Sequence, residues 1–190
     1  MIEHLVIATK NEDKRAEIAA VLVDAGLVGE IVVGCSWPDV DETGDTLEEN
    51  ALLKAAAVAE ATGLPALADD TGLEVAALGG APGVNTARFA GPQASYAENV
   101  DKLLESMGGV VDRTAVFRTV IALVEPGGRT VIAAGSVAGR ITTSRRGENG
   151  FGYDPVFEVD RRTLAEVPTA EKNLISHRAR AIRALVEALS

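Results

Sequence analysis

With 190 residues, 47% hydrophobic composition and a formal charge of −10, the chain is sized for one substantial core and carries the wrong sign for gripping a nucleic-acid backbone. No apolar run reaches membrane-spanning length and the opening "MIEHLVIATK" lacks a signal-peptide pattern, so a cytoplasmic protein forming a single domain, residues 1–190, is expected, without membrane or nucleic-acid partners. Cys35 has no second cysteine to pair with, and His4 and His177 alone give no zinc-ligand pattern, whereas the surplus of carboxylates suits a hard divalent cation.

In chain order, residues 5–8 read as a first strand and residues 11–25 as an amphipathic helix with Ile18, Val21, Leu22 and Ala25 on one face. Residues 30–35, "EIVVGC", read as a second strand. Residues 46–62 read as a long helix whose face carries Leu47, Ala51, Ala55 and Val58, ended by Gly63-Leu64-Pro65. The apolar run 65–68 predicts a buried parallel strand with Asp69 and Asp70 at its carboxyl end. A glycine-rich passage follows, then a helix over 97–107 and two strands, 114–125 and 130–139, joined as a hairpin by "EPGG". Ile175, Ala179, Ile182, Val186 and Leu189 mark one face of a C-terminal helix. The order indicates an α/β protein with a mixed sheet.

Five polar segments carry candidate chemistry. In "ATKNEDK", residues 8–14, a strand turns directly into a helix: backbone N–H groups there attract phosphate, Thr9 and Asn11 add hydrogen bonds, and Lys14 adds a charge. Plain capping by Asn11, with Glu12 and Asp13 favouring the helix dipole, explains the same residues without a ligand. In "DETGDTLEENALLKA", residues 41–55, Asn50 and Lys54 share a helix face, although acids in a first turn are also ordinary surface residues. Two carboxylates at a strand end, Asp69 and Asp70, can divide labour between a cation and a proton, but Asp-Thr-Gly is also common turn chemistry. In "GENGFGYDP", residues 147–155, Phe151 or Tyr153 can cover a flat base while Asp154 accepts a hydrogen bond; a packed turn is the other reading. In "EKNLISHRAR", residues 171–180, a cap at Ser176 would put His177 and Arg178 at a helix start.

Taken together, "TKNEDK", "DETGDTLEENALLKA", "ADDTGLEVAALGGAPGVNTARFAG", "FGYDP" and "SHR" resemble, in this order, the inosine triphosphate pyrophosphatase or Ham1 family over nearly the whole chain. The resemblance implies an elongated mixed β-sheet flanked by helices, in two lobes with a central nucleotide cleft. It implies a homodimer that uses Mg2+ to hydrolyse ITP, XTP and dITP to monophosphate and pyrophosphate, cleansing the nucleotide pool. By position, Thr9, Lys10, Asn11, Glu12, Asp13 and Lys14 resemble the triphosphate cradle, and Lys54, Asp70 and Thr71 join the substrate contacts. Asp69 resembles the proton acceptor and a metal-linked carboxylate. Asp41 stands where relatives have Glu, with Glu42 beside it as a further metal-associated acid. Phe151, Gly152, Tyr153 and Asp154 resemble the base pocket, and Lys172, His177 and Arg178 further nucleotide contacts. Donors from His177 and Arg178 suit bases with a 6-keto acceptor. The alternatives are a nucleotide sensor without hydrolysis, and a pyrophosphatase for modified pyrimidine or general NTPs.

Overall fold

The computed structural model describes residues 1–189. It contains β1 (Ile2–Ile7), α1 (Glu12–Asp24), β2 (Val28–Ile31), α2 (Leu47–Thr62), β3 (Ala66–Val75), β4 (Pro82–Gly83), α3 (Tyr96–Ser106), β5 (Thr114–Val124), β6 (Thr130–Ile141), β7 (Phe157–Val159), β8 (Arg162–Thr163), α4 (Thr169–Ile175) and α5 (His177–Leu189). The strands form a mixed sheet in the order β2-β1-β3-β5-β6-β7-β8, with β4 on β3. β1 runs parallel to both β2 and β3, whereas β4, β7 and β8 pair antiparallel with their neighbours. Among the described residues no helix is long and apolar enough to cross a membrane.

Residue contacts divide the chain into two compact units. The first comprises Met1–Asp70, Thr119–Gly135 and the chain from His177; the second comprises Thr71–Arg118 and Ser136–Ser176. In the first unit, Leu5 and Ile7 of β1 and Leu67 of β3 pack with Ile18 and Leu22 of α1 and Ile182 and Leu185 of α5. Gly135 lets the first turn of α5 lie close on β6, because a Cβ there would stand 2.3 Å from the Ala181 nitrogen and 2.4 Å from the His177 carbonyl oxygen. In the second unit, Leu73, Val100, Leu103, Phe117, Ile141 and Phe157 form a separate core.

The helices begin where their caps predict. Asn11 accepts the Lys14 N–H at 3.1 Å, and Thr46 and Glu49 form a capping box ahead of α2. Three expectations need correction. The second strand is Val28–Ile31, not 30–35: its ladder with β1 ends at the bond from the Val32 N–H to the Leu5 carbonyl, and Val33 is exposed. β3 continues through Asp69 and Asp70 to Val75 instead of ending in a turn, because it lies beside β5 in the sheet and Leu73 and Glu74 also pair with β4. Ile175 is not on the C-terminal helix: Ser176, with ψ 157°, breaks the helical run, so Ile175 packs in the second unit and Ala179 and Ile182 in the first. The short β7 and β8, joined through Asp160 and Arg161 in left-handed conformation, carry too few residues to show a period in the sequence.

Candidate active site

The sheet separates the two adjacent acids. Successive side chains on a strand point to opposite faces, so Asp69 shares the face of Leu67, which α1 and α5 cover, and Asp70 takes the other. β1 pairs with β3 only at Val6–Ala66 and Ile7–Leu67, and the chain then leaves for the loop before α1. The acids therefore lie just beyond the carboxyl end of a neighbouring parallel strand, although they are in the middle of their own.

Each acid meets its own cations. Arg178 of α5 donates from Nε and Nη2 to Asp69 Oδ2, both at 3.2 Å, and Lys14 Nζ of α1 lies 3.3 Å from the same oxygen. The remaining face of the Arg178 guanidinium donates from Nη1 to Glu17 Oε2. On the opposite face, α2 presents Lys54 Nζ 3.1 Å from Asp70 Oδ1 and Asn50 Nδ2 3.4 Å from Asp70 Oδ2. Lys54 also donates to Glu42 Oε1 at 2.6 Å, while Asn50 holds Gly44 through the Gly44 N–H at 2.8 Å, fixing the segment that carries Glu42. Asn50 and Lys54 thus share one helix face and one carboxylate, as their four-residue spacing predicts.

Burial gives these charges unequal standing. Lys14 is held below its ordinary value, because desolvation and the nearby Lys54 and Arg178 outweigh the attraction of Asp69 and Asp70. Burial also acts to lower Lys54, but Asp70, Asp69 and Glu42 together overcome it and raise the ammonium. Asp70 is raised: its desolvation, helped by Glu42, exceeds the pull of Lys54 and Lys14. The Asp69 side chain is fully enclosed, whereas that of Asp70 keeps 7% of its surface open.

In the second unit, Phe151 is half-buried, with Lys172 Nζ 5.0 Å from its ring centre. Asp154 is an internal post: its Oδ2 accepts from Lys172 Nζ and, at 2.9 Å, from the Phe151 N–H. Gly150 makes this possible at φ +73°, since a Cβ would stand 2.1 Å from Asp154 Oδ2. Gly150→Ala is therefore expected to destabilise the protein by about 2–4 kcal/mol in denaturant melts, through left-handed strain and a disrupted buried ion pair. Tyr153 does not serve as a cover for a base. It is buried, its hydroxyl donates to the Thr86 carbonyl at 3.0 Å, and it packs edge-on against Phe117, with burial pushing its hydroxyl well above the usual value.

The other expected residues have plainer placements. Thr9 accepts the Asn11 N–H at 3.2 Å, Lys10 reaches the exposed Asp39, and Glu12 and Asp13 are exposed in the first turn of α1. Thr71 and Gly152 are half-buried, and His177 is buried at the start of α5. Arg178 is engaged by Asp69 and Glu17. Glu17 escaped the sequence reading, although an acid one turn from Lys14 and beside Ile18 stands out on a face meant for burial.

Among the described residues no three His, Cys, Asp or Glu side chains gather as a metal-binding group. Asp41 is exposed and lines a pocket with Trp37, Val40 and Ala61, so the trio Asp69, Asp41 and Glu42 does not assemble. Asp70 and Glu42 do converge on one positive charge, the Lys54 ammonium. Two hard oxygen donors focused on a cation fit Mg2+, which keeps much of its water and takes few protein ligands.

A profile of the Ham1 family matches residues 5–188. The chain is similar to the dITP/XTP pyrophosphatase of Bacillus licheniformis, with 46% identity over 189 residues, covering 97% of this chain and 96% of that one. Among solved structures it is similar to a HAM1 protein from Coxiella burnetii, with a TM-score of 0.88, 44% identity and coverage of 99% and 98% of the two chains. The Staphylococcus aureus Ham1 protein follows at a TM-score of 0.84 and 40% identity, with 98% of each chain covered. Identity at this level along almost the entire length, on the same fold, makes the chain a member of the Ham1 family.

Proposed function

We propose that this chain is a nucleoside-triphosphate pyrophosphatase that hydrolyses ITP, XTP and dITP to the monophosphate and pyrophosphate. The observation that carries the reading is the cluster of Lys14, Lys54 and Arg178 around the buried Asp69 and Asp70, which offers positive charge to a triphosphate and a carboxylate to water. The printed activity of the Bacillus licheniformis relative, dITP/XTP pyrophosphatase, supports the substrate class.

In this reading Lys14 and Lys54 bind phosphate oxygens and draw off the charge that develops as the bond to pyrophosphate breaks. A water attacks the α-phosphorus and loses its proton to a carboxylate, and pyrophosphate leaves with the electrons of the broken bond. We assign the proton to Asp70 in preference to Asp69. Asp69 is enclosed and shared by Arg178 and Lys14, whereas Asp70 keeps an open edge at which a water can approach. Asp69 then positions Lys14 and Arg178. Asp70 and Glu42 would hold Mg2+, which supplies further charge neutralisation to the phosphates when bound. Phe151 supplies the aromatic face for the base, with Lys172 behind it.

The proposal extends to Mg2+ dependence, a role in cleansing the nucleotide pool, a cytoplasmic location and a homodimer, all of which rest on the family resemblance. Pyrophosphate release from ITP, XTP, dITP, GTP, ATP and CTP, with and without Mg2+, tests it. Metal-dependent turnover of the first three above the last three is the expected result. Equal turnover of all six would sink the base preference, and turnover of none would leave a binding protein.

A further inference from the structure

The loop that carries Phe151 is gripped from outside the motif by the first turns of α3. Tyr96, the first residue of α3, sets its ring 5.7 Å from that of Phe151, with the two planes inclined by 37°. One turn further along, Arg145 of the same loop donates from Nη1 to Asp101 Oδ1 at 2.8 Å and from Nη2 to the Ala97 carbonyl at 2.9 Å. The helix end is itself immobilised. Ser95 and Glu98 form a capping box, and the buried Asn99 donates to the Ala87 carbonyl at 3.0 Å and accepts the Ala90 N–H at 2.8 Å. Val100 and Leu103 anchor the helix in the core of the second unit.

We propose that Tyr96 is a positioning residue for base recognition, orienting the Phe151 ring that receives the purine. The inference rests on the function proposed above and on contacts within the second unit alone. Asp154 holds the Phe151 backbone N–H, and Lys172 lies near the ring, but neither is an aromatic surface that sets its tilt. Tyr96 is one. Paired aromatic rings prefer offset or inclined arrangements, so this neighbour favours one orientation of Phe151 over its rotamer alternatives. Tyr96 keeps 41% of its surface exposed, so its removal opens no core cavity and leaves α3 anchored. The contact that does the orienting is the ring pair.

The test compares Tyr96→Ala and Tyr96→Phe with the unsubstituted enzyme in steady-state ITP hydrolysis, with IMP and inorganic tripolyphosphate as competing inhibitors. Tyr96→Ala is expected to raise KM for ITP and the inhibition constant of IMP by about three- to tenfold. It should leave kcat and the inhibition constant of tripolyphosphate within twofold, a split that general loosening of the fold would not produce. Tyr96→Phe should restore both base-dependent values. An unmoved KM in Tyr96→Ala overturns the inference, as does an equal loss for IMP and tripolyphosphate, or a Tyr96→Phe variant as weak as Tyr96→Ala. Absence of ITP turnover by the unsubstituted enzyme overturns the proposed function and this inference with it, whereas ITP turnover with an indifferent Tyr96→Ala overturns the inference alone.

Discussion

Asp70→Asn is expected to lower kcat for ITP about 10²–10⁴-fold at saturating Mg2+ without lowering the melting temperature. Ionised Asp70 is a burden on the fold. Its pKa is raised from 3.8 by desolvation, so its contribution to stability is favourable below 3.8 and is lost as pH rises through the folded-state value. Neutralising it at pH 7 removes that burden along with the base, while Lys54 keeps Glu42 as its partner. Asp69→Asn should behave differently. It leaves the buried Arg178 and the partly buried Lys14 without their shared carboxylate, and a loss of about 3 kcal/mol in stability is expected to accompany the loss of activity. A folded, inactive Asp69→Asn beside an active Asp70→Asn would return the proton-accepting role to Asp69.

Lys14→Met should also separate stability from activity. The folded state depresses the Lys14 pKa below 10.5, chiefly by desolvation. Its contribution to stability is therefore fully present only above 10.5 and is lost as pH falls through the folded value, so desolvation of this side chain weakens the fold at lower pH. Met retains most of the aliphatic stem and removes the charge, and Arg178 remains on Asp69. The melting temperature should rise while kcat/KM for ITP falls about 10²-fold, the loss expected when one preorganised donor to a developing phosphate charge is removed. A variant with full activity would show that no phosphate uses Lys14, and one with a lower melting temperature would show that Asp69 outweighs desolvation.

Local signals were legible where local physics decides. Asn11, Thr46 and Ser95 precede helices that start within a residue of the expected positions, and the hairpin of β5 and β6 follows from its two apolar runs and "EPGG". The pairing of Asn50 with Lys54 also follows from helix period alone, and the structure adds Asp70 as their common partner. The C-terminal periodicity misled at Ile175 because a single extended residue, Ser176, can divide two helices without changing the apolar count. Tyr153 and Asp154 lie in a loop that the sequence offered as candidate chemistry, but their side chains turn inward to Thr86 and Lys172, partners 67 and 18 residues away.

By itself the sequence determined the class of the fold, the family, and the short segments in which candidate chemistry resides, because caps, turns and hydrophobic periods act over a few residues. The tertiary structure alone decided that Asp69 and Asp70 stand on opposite faces of a continuous strand, each with its own cations, and that Glu17 completes the support of Arg178. Strand continuation through the acids depends on pairing with β5 and β4, and the charge partners come from α1, α2 and α5, up to 161 residues apart. No local pattern encodes such pairings: the energy that selects them, the desolvation of a charge against the attraction of a distant one, exists only once the sheet and helices have assembled.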